Sequence, residues 1–297
     1  MTRMPRPELI ATRAPVTRSQ LVADLRRLGV GEGATAMVHA SISSLGWVVG
    51  GSQTVVQALL DCLGPEGTLC AQAGWEDVPF GLAGWPQSWR DAYEAEYPPF
   101  DPGLSAAAPY EGRLAERIRT WPGAHRSANP ATGVAAIGPG AAELTAGHRL
   151  DDGFGPGTPY ARLVERDGQV VLLGAPLHTI SLLHHAESIA RAPQRWTTYR
   201  LPVGAEWVAI REIDVWNGAF PYADALPDSG PPLGVIAAAA LCAGVGRRGT
   251  VGTGCAHVFG AAALTRFAVD WIERRFSPCR AARSASGRAG SATGRPT

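Results

Sequence analysis

Between residues 36 and 71 the apolar pattern changes period twice, and few architectures accept that order. Ala36-Met-Val-His39 reads as a strand, and residues 41–51 form a loop rich in small side chains that ends at Gly50 and Gly51. Val55, Val56, Leu59, Leu60 and Leu63 then keep helical spacing, with Ser52 as the expected cap and Gly64 as the stop. Thr68-Leu-Cys-Ala71 returns as a strand. This β–loop–α–β order predicts an α/β fold, a layered α/β(α) domain around a central mixed sheet. Upstream, Thr17-Arg-Ser-Gln20 is a capping box before Leu21, Leu25 and Leu28, with Gly29 closing the helix. Downstream, 134–137, 170–173 and 206–215 read as strands, and 89–97, 114–120, 181–191, 233–242 and 261–275 as helices. No internal repeat is visible.

Composition removes whole classes of activity. The 297 residues contain no lysine, so neither a Walker-type phosphate loop nor a pyridoxal Schiff base is available. The net charge of +1 conceals an asymmetry: the segment from Ser277 carries four arginines and no acid, leaving residues 1–276 at −3. A slightly acidic body argues against nucleic acid and suits a cationic ligand. Five cysteines (62, 70, 242, 255 and 279) show no CxxC pair, which fits reduced thiols in a cytoplasm and no metal site. The apolar run from Gly234 to Gly246 is about half the length that crosses a bilayer, and residues 1–15 lack the apolar core of a signal peptide, so no membrane role is expected. Three parts are expected: an N-terminal extension (1–15), one domain (16–276) and a disordered basic tail (277–297).

The strongest chemical signal follows Gln169-Val-Val-Leu-Leu-Gly174, a strand ending at a turn glycine. A helix fed by that strand starts at the strand's carboxyl end, where open α/β sheets bind ligands. There His184 and Glu187 stand three apart on one helical face, with Ser181 one turn earlier. An imidazole beside a carboxylate accepts a proton near neutral pH, and the carboxylate stabilises the imidazolium. The bland reading is a buried polar pair that ties the helix down. Glu212 and Asp214 share a strand face and compete with Glu187 as the group orienting the ring. His185 is expected to be the outward neighbour of His184, His125 and His148 to lie on the surface, and His39 to be a satisfied buried histidine.

Residues 74–102 differ from their surroundings, with Trp75, Trp85 and Trp89 among prolines and the acids Glu76, Asp77, Asp91, Glu94, Glu96 and Asp101. Such acids attract a cation, and the indoles offer faces on which one can stack. Alternatively the tryptophans are core and the acids a solvated face.

Several segments together resemble the aminoglycoside 3-N-acetyltransferase family. They are Val38-His-Ala-Ser41 with Gly50-Gly51, Ala73-Gly-Trp75, Pro98-Pro-Phe-Asp-Pro102, Arg119-Thr-Trp-Pro-Gly-Ala-His-Arg-Ser127 with Asn129-Pro130, Leu172-Leu-Gly-Ala-Pro176, Leu183-His-His-Ala-Glu187, and the stretch from Gly246 to Phe276. The resemblance spans about residues 15–276 and implies the antibiotic N-acetyltransferase fold, acetyl-coenzyme A as donor and an aminocyclitol amine as acceptor. By that resemblance His184 matches the active-site histidine, Glu187 its neighbouring acid, and Asp214 the start of an acidic segment with Glu212 before it. His39, Ser41, Ser43, Ser44, Gly50, Gly51, Arg126 and Ser127 match segments associated with the donor and the cleft, and Arg126 is a plausible coenzyme A phosphate partner. Trp75, Glu76, Asp77, Glu94, Asp101 and His178 are the expected acceptor-binding positions.

The departures from the family fall on polar cleft positions. His178 stands for an Asp, Ser181 for a Thr, Val215-Trp-Asn217 for a polar acidic stretch, and about Cys255 for an Asp. They open a second acceptor, a kasugamycin-like aminoglycoside acetylated at its 2′-amine. Two readings from other classes compete: a cysteine acyltransferase using Cys255 or Cys62, and a binding protein that sequesters the drug without turnover. A homodimer is left open.

Overall fold

The computed structural model describes residues 14–203, 206–222 and 230–276. Most of the proposed N-terminal extension and all of the proposed basic tail lie outside these residues. Seven strands form one mixed sheet in the order β3-β4-β2-β1-β5-β9-β8. At its centre β1 (Thr35–Ala40) runs parallel to β2 (Thr68–Gln72) and β5 (Gln169–Leu173). The flanks are antiparallel: β4 (Val134–Ile137) and β3 (His125–Arg126) beyond β2, β9 (Gly254–Gly260) and β8 (Arg247–Val251) beyond β5.

Side chains alternate across the central strands and feed two separate cores. Ala36, Val38, Val171, Leu173, Ala256 and Val258 face the layer built by α1 (Arg18–Leu28), α2 (Gly51–Leu63) and α4 (Gly112–Arg119). Met37, Cys70, Val170, Leu172 and Phe259 face the opposite layer. That layer holds α5 (Ala141–Thr145), α6 (Pro159–Glu165), α7 (Leu182–Ile189), α8 (Pro232–Cys242) and α9 (Ala261–Phe276). Strands buried on both faces read as unbroken apolar runs, which explains why the central ones stand out in the sequence.

Thr17 caps α1, its hydroxyl accepting from Gln20 N at 3.3 Å, and Gly29 closes the helix in the left-handed region. Ser52 does not cap α2. The helix starts two residues earlier, with Gly50 at φ +80° in the cap position, and Ser52 Oγ instead accepts from Arg117 Nε at 3.4 Å. Residues 87–96 form α3, and residues 206–213 do form a strand, β7, but outside the main sheet. Among the described residues it pairs only with β6 (Trp196–Val203), and this hairpin is tied to α3 by Trp207 Nε1 donating to Glu94 O at 3.0 Å.

Two consequences bear on the site. His39, Gln72 and Gly174 mark the carboxyl ends of the three parallel strands, so the loops after them share one edge. Gly174 turns at φ +67°, where an added Cβ would meet Ser44 Cβ at 2.5 Å. Gly174→Ala therefore adds left-handed backbone strain to a direct clash at the edge of the cleft. It should cost at least about 2 kcal/mol, read as a lower midpoint in urea unfolding with an unchanged slope.

Candidate active site

Helix α7 enters from a 3-10 turn at Leu177–Thr179 and buries Leu182, Leu183 and Ala186 against α9. The three-residue spacing then brings His184 Nδ1 to 2.6 Å from Glu187 Oε2. The Glu187 side chain is buried, whereas the ring keeps 20 % of its surface exposed. Since a carboxylate only accepts, Nδ1 carries the proton and Nε2 is the ring's free acceptor. Phe154 packs on the ring with centroids 4.9 Å apart. Glu187 thus takes the orienting place, while the competing acids lie elsewhere. Asp214 holds the Asn217 amide and side chain at 3.0–3.1 Å. Glu212 is buried and accepts from Tyr199 O–H at 3.0 Å.

Glu212 helps to line a pocket of about 510 Å³ together with Asp151, Asp152, Phe154, Ser188, Gln194 and Trp196. Burial pushes the Glu212 carboxyl up to about 7, against the pull of hydrogen bonds from Tyr199 and Trp216, and the neighbouring Asp152 adds to the rise. Asp152 is itself raised, chiefly by burial. The pocket therefore gathers three carboxyl groups beside the His184 neighbour Phe154, and two of them, Asp151 and Asp152, were not singled out by the sequence. Their only sequence signal is the Asp-Asp-Gly run in a loop between helices.

The acids of residues 74–102 do other work. Glu94 pairs with Arg200 at 2.9 Å, and Asp101 accepts from the amides of Gly103 and Leu104 in its own turn. Asp77 accepts from Tyr93 O–H at 3.2 Å, and Glu76 is exposed. Trp75 is buried against Tyr97 and Phe100, whereas Trp85 and Trp89 are exposed. His178 sits exposed on the 3-10 turn, against the start of α8.

Of the residues expected to line the donor site, Ser41, Ser43 and Ser44 cluster after β1, with Ser44 Oγ donating to Ser41 Oγ at 3.1 Å. No side chain caps α2, and a Cβ at Gly51 would meet nothing within 4 Å. Open amides at a 13-residue helix start suit a phosphate. His39 faces Ser181 Oγ through Nε2 at 3.4 Å, and burial pushes its pKa down to about 4, so it is neutral. Arg126 and Ser127 are committed within the fold. The Arg126 guanidinium donates to Ala73 O and Ser105 O and lies over Phe100, and Ser127 Oγ bonds His148 Nδ1 and Val134 N, both at 2.9 Å. His148 and His185 are buried rather than exposed, and His185 Nδ1 lies 2.6 Å from Phe154 O. Because α7 is packed on both flanks, the position next to His184 turns inward. His125 is exposed as expected.

Cys62 is buried in α2 with its thiol near Val30 O, far from any histidine contact. Cys255 is exposed, with Sγ 3.3 Å from Arg248 Nε and 3.9 Å from His257 Nε2. Among the described residues no group of three or more His, Cys, Asp or Glu could hold a metal ion, and no helix is long and apolar enough to cross a membrane.

The profile of one family, described as aminoglycoside 3-N-acetyltransferase, matches residues 37–273. The chain belongs to this family. Aminoglycoside N(3)-acetyltransferase VIII of Streptomyces fradiae is 48 % identical over 267 residues, covering 88 % of this chain and 93 % of that protein. Among solved structures, the aminoglycoside acetyltransferase AAC(3)-Xa superposes with a TM-score of 0.87 at 45 % identity, over 91 % of this chain and 97 % of its own. AAC-IIIb, solved as a binary complex with CoASH, does so at 0.80 and 38 %, over 89 % and 99 %. As an aminoglycoside N-acetyltransferase the protein is an enzyme with acetyl-coenzyme A as co-substrate.

The Glu212 carboxyl gives this acetyltransferase a testable pH signature. A carboxyl raised to about 7 in the fold and ordinary when unfolded is protonated more readily by the native state between those values. Native stability from this group is therefore present at low pH and lost as pH rises through about 7. Glu212→Gln should gain stability relative to wild type at pH 8 but not at pH 4, by roughly 1–3 kcal/mol, measured by urea unfolding at the two pH values.

Proposed function

We propose that this acetyltransferase acylates the position-3 amine that names its family, on an aminoglycoside held in the Asp151/Asp152/Glu212 pocket, with His184 as general base. The observation that carries the reading is the His184–Glu187 pair, which leaves Nε2 as the ring's free acceptor next to Phe154 and an acidic pocket. The drug's ammonium gives up two protons: the first goes to solvent before attack, and as the C–N bond forms and the thioester C–S bond breaks, His184 takes the second and returns it to the departing sulfur. Ser181, whose hydroxyl lies 3.4 Å from Nε2 of neutral His39, donates to the thioester oxygen in this reading. The serines at 41, 43 and 44 and the open start of α2 at Gly50 and Gly51 hold the donor, with its phosphates at the helix amides. Arg126 is left out of the donor site because its guanidinium is already spent on backbone carbonyls. No covalent enzyme intermediate is needed, and neither Cys62 nor Cys255 takes part. The product carries a neutral amide where the drug had an ammonium ion, which is the basis of resistance.

The test is mass spectrometry of drugs incubated with enzyme and acetyl-coenzyme A. Deoxystreptamine antibiotics should gain one acetyl group, assigned to the 3-nitrogen by NMR. Acetylation of kasugamycin at its 2′-amine instead would move the acceptor, and drug recovered at its original mass would favour sequestration. His184→Ala should lower kcat by about 10²–10⁴-fold, while Cys62→Ser and Cys255→Ser leave it unchanged.

A further inference from the structure

Behind the imidazole the hydrogen bonds continue one residue further than the His184–Glu187 pair. Tyr222 O–H donates to Glu187 Oε1, the oxygen that His184 does not use. Both oxygens of a carboxylate that is 1 % exposed are therefore fixed by named donors on different segments. Tyr222 is itself held in an aromatic box: Phe220 stacks on Phe276 at 5.3 Å, and the Tyr222 ring meets Phe276 edge-on at 5.4 Å and Phe220 at 5.8 Å. Burial, and then the charge of Glu187, drive the phenol far above its ordinary range, so it donates at every working pH.

We propose that Tyr222 is a positioning residue for acetyl transfer: its hydroxyl locks the Glu187 carboxylate so that the second oxygen holds the His184 ring with Nδ1 protonated and Nε2 free. The proposal rests on the reading of His184 as base. A carboxyl group with one fixed oxygen can turn about its last bond, and the ring it holds turns with it. With both oxygens pinned, the imidazole needs no reorganisation when the proton arrives. The hydroxyl also shares the carboxylate's charge, so it tempers the attraction of Glu187 for an imidazolium.

Other titratable groups lie on the elements around α7. Asp152 and Glu165 bear on His185, Glu212 is bonded to Tyr199, and Glu273 of α9 accepts from Arg191 N. Ser181 and His39 face each other in front of the helix. None of them touches Tyr222, so a change confined to its hydroxyl reads Glu187 and His184.

The test is NMR titration of the His184 ring in wild type, Tyr222→Phe, and a protein carrying 3-fluorotyrosine at 222, each checked for thermal stability. Removing the hydroxyl leaves the carboxylate's charge to His184 alone, and the ring's titration should move up by about one unit, equivalent to tenfold in proton affinity. The fluorinated ring, a stronger donor in the same box, should move it down. The kcat of Tyr222→Phe should fall about tenfold, with KM for the drug little changed, and in a Glu187→Gln background the Phe substitution should have no further effect on the titration. A His184 titration that stays put in Tyr222→Phe, or moves equally in the Gln background, overturns the proposal even if His184→Ala has lost turnover. Full turnover in His184→Ala instead removes the base reading, and the catalytic role of Tyr222 with it.

Discussion

Glu187 is the constraint on which the site is arranged. Burying a carboxylate is costly unless donors meet its oxygens, and the fold supplies one donor from the same helix and one from a distant segment. Placing that carboxylate at 2 % side-chain exposure beneath a ring at 20 % makes a one-sided device, wet in front and fixed behind. The helix could not present it without its own anchoring, because α7 is only eight residues long. Leu182, Leu183 and Ala186 supply that anchoring on the sheet side. His185 adds a polar tie to Phe154 O, and through it the helix positions the aromatic wall of its own cleft.

The acidic character of the chain is distributed less evenly than its sequence implies. The acid-rich stretch before Pro102 is largely consumed in holding α3, the β6–β7 hairpin and a local turn together. The carboxyl groups that face the pocket come from two separate places, Asp151 and Asp152 in one loop and Glu212 on a hairpin that stands off the main sheet. Chain proximity of acids marks a solvated or locally paired surface; convergence of distant acids marks a site.

The same distinction separates what was legible in the sequence from what was not. The central strands and the amphipathic helices could be read because burial on two faces, or on one stripe, leaves an apolar rhythm that needs no tertiary knowledge. The His184–Glu187 pair was legible for a related reason, since three-residue spacing on a helix is itself a contact. Strands β8 and β9 were missed: Gly249, Gly252, Gly254 and Gly260 interrupt them, and their hairpin turns through Gly252-Thr253 at φ +59° without a longer loop signal. Tyr222 was missed because 35 residues separate it from Glu187. Arg126 looked like a phosphate ligand because an arginine's partners are invisible in sequence. Its fork in fact closes on Ala73 O and Ser105 O, and it serves the cleft by holding the loop beyond β2.

A pocket proposed to hold a cation, beside a base proposed to act on that cation's amine, faces opposed demands. Full negative charge beside the reacting nitrogen would bind the ammonium form tightly and thereby hold back the lone pair that has to attack. The pocket's deepest acid answers this through its surroundings. Burial sets Glu212 to titrate at about 7, so it is only partly charged where the drug is mostly ammonium, and Tyr199 keeps it hydrogen-bonded in the charged form. Asp151, which pairs with Arg149 at 2.6 Å, is likewise tempered. Attraction at the rim and restraint in the interior leave the amine's lone pair available beside the proposed base, His184. On the proposed reading, base and binding site are two parts of one electrostatic arrangement, and substituting the pocket acids would alter proton transfer as well as affinity.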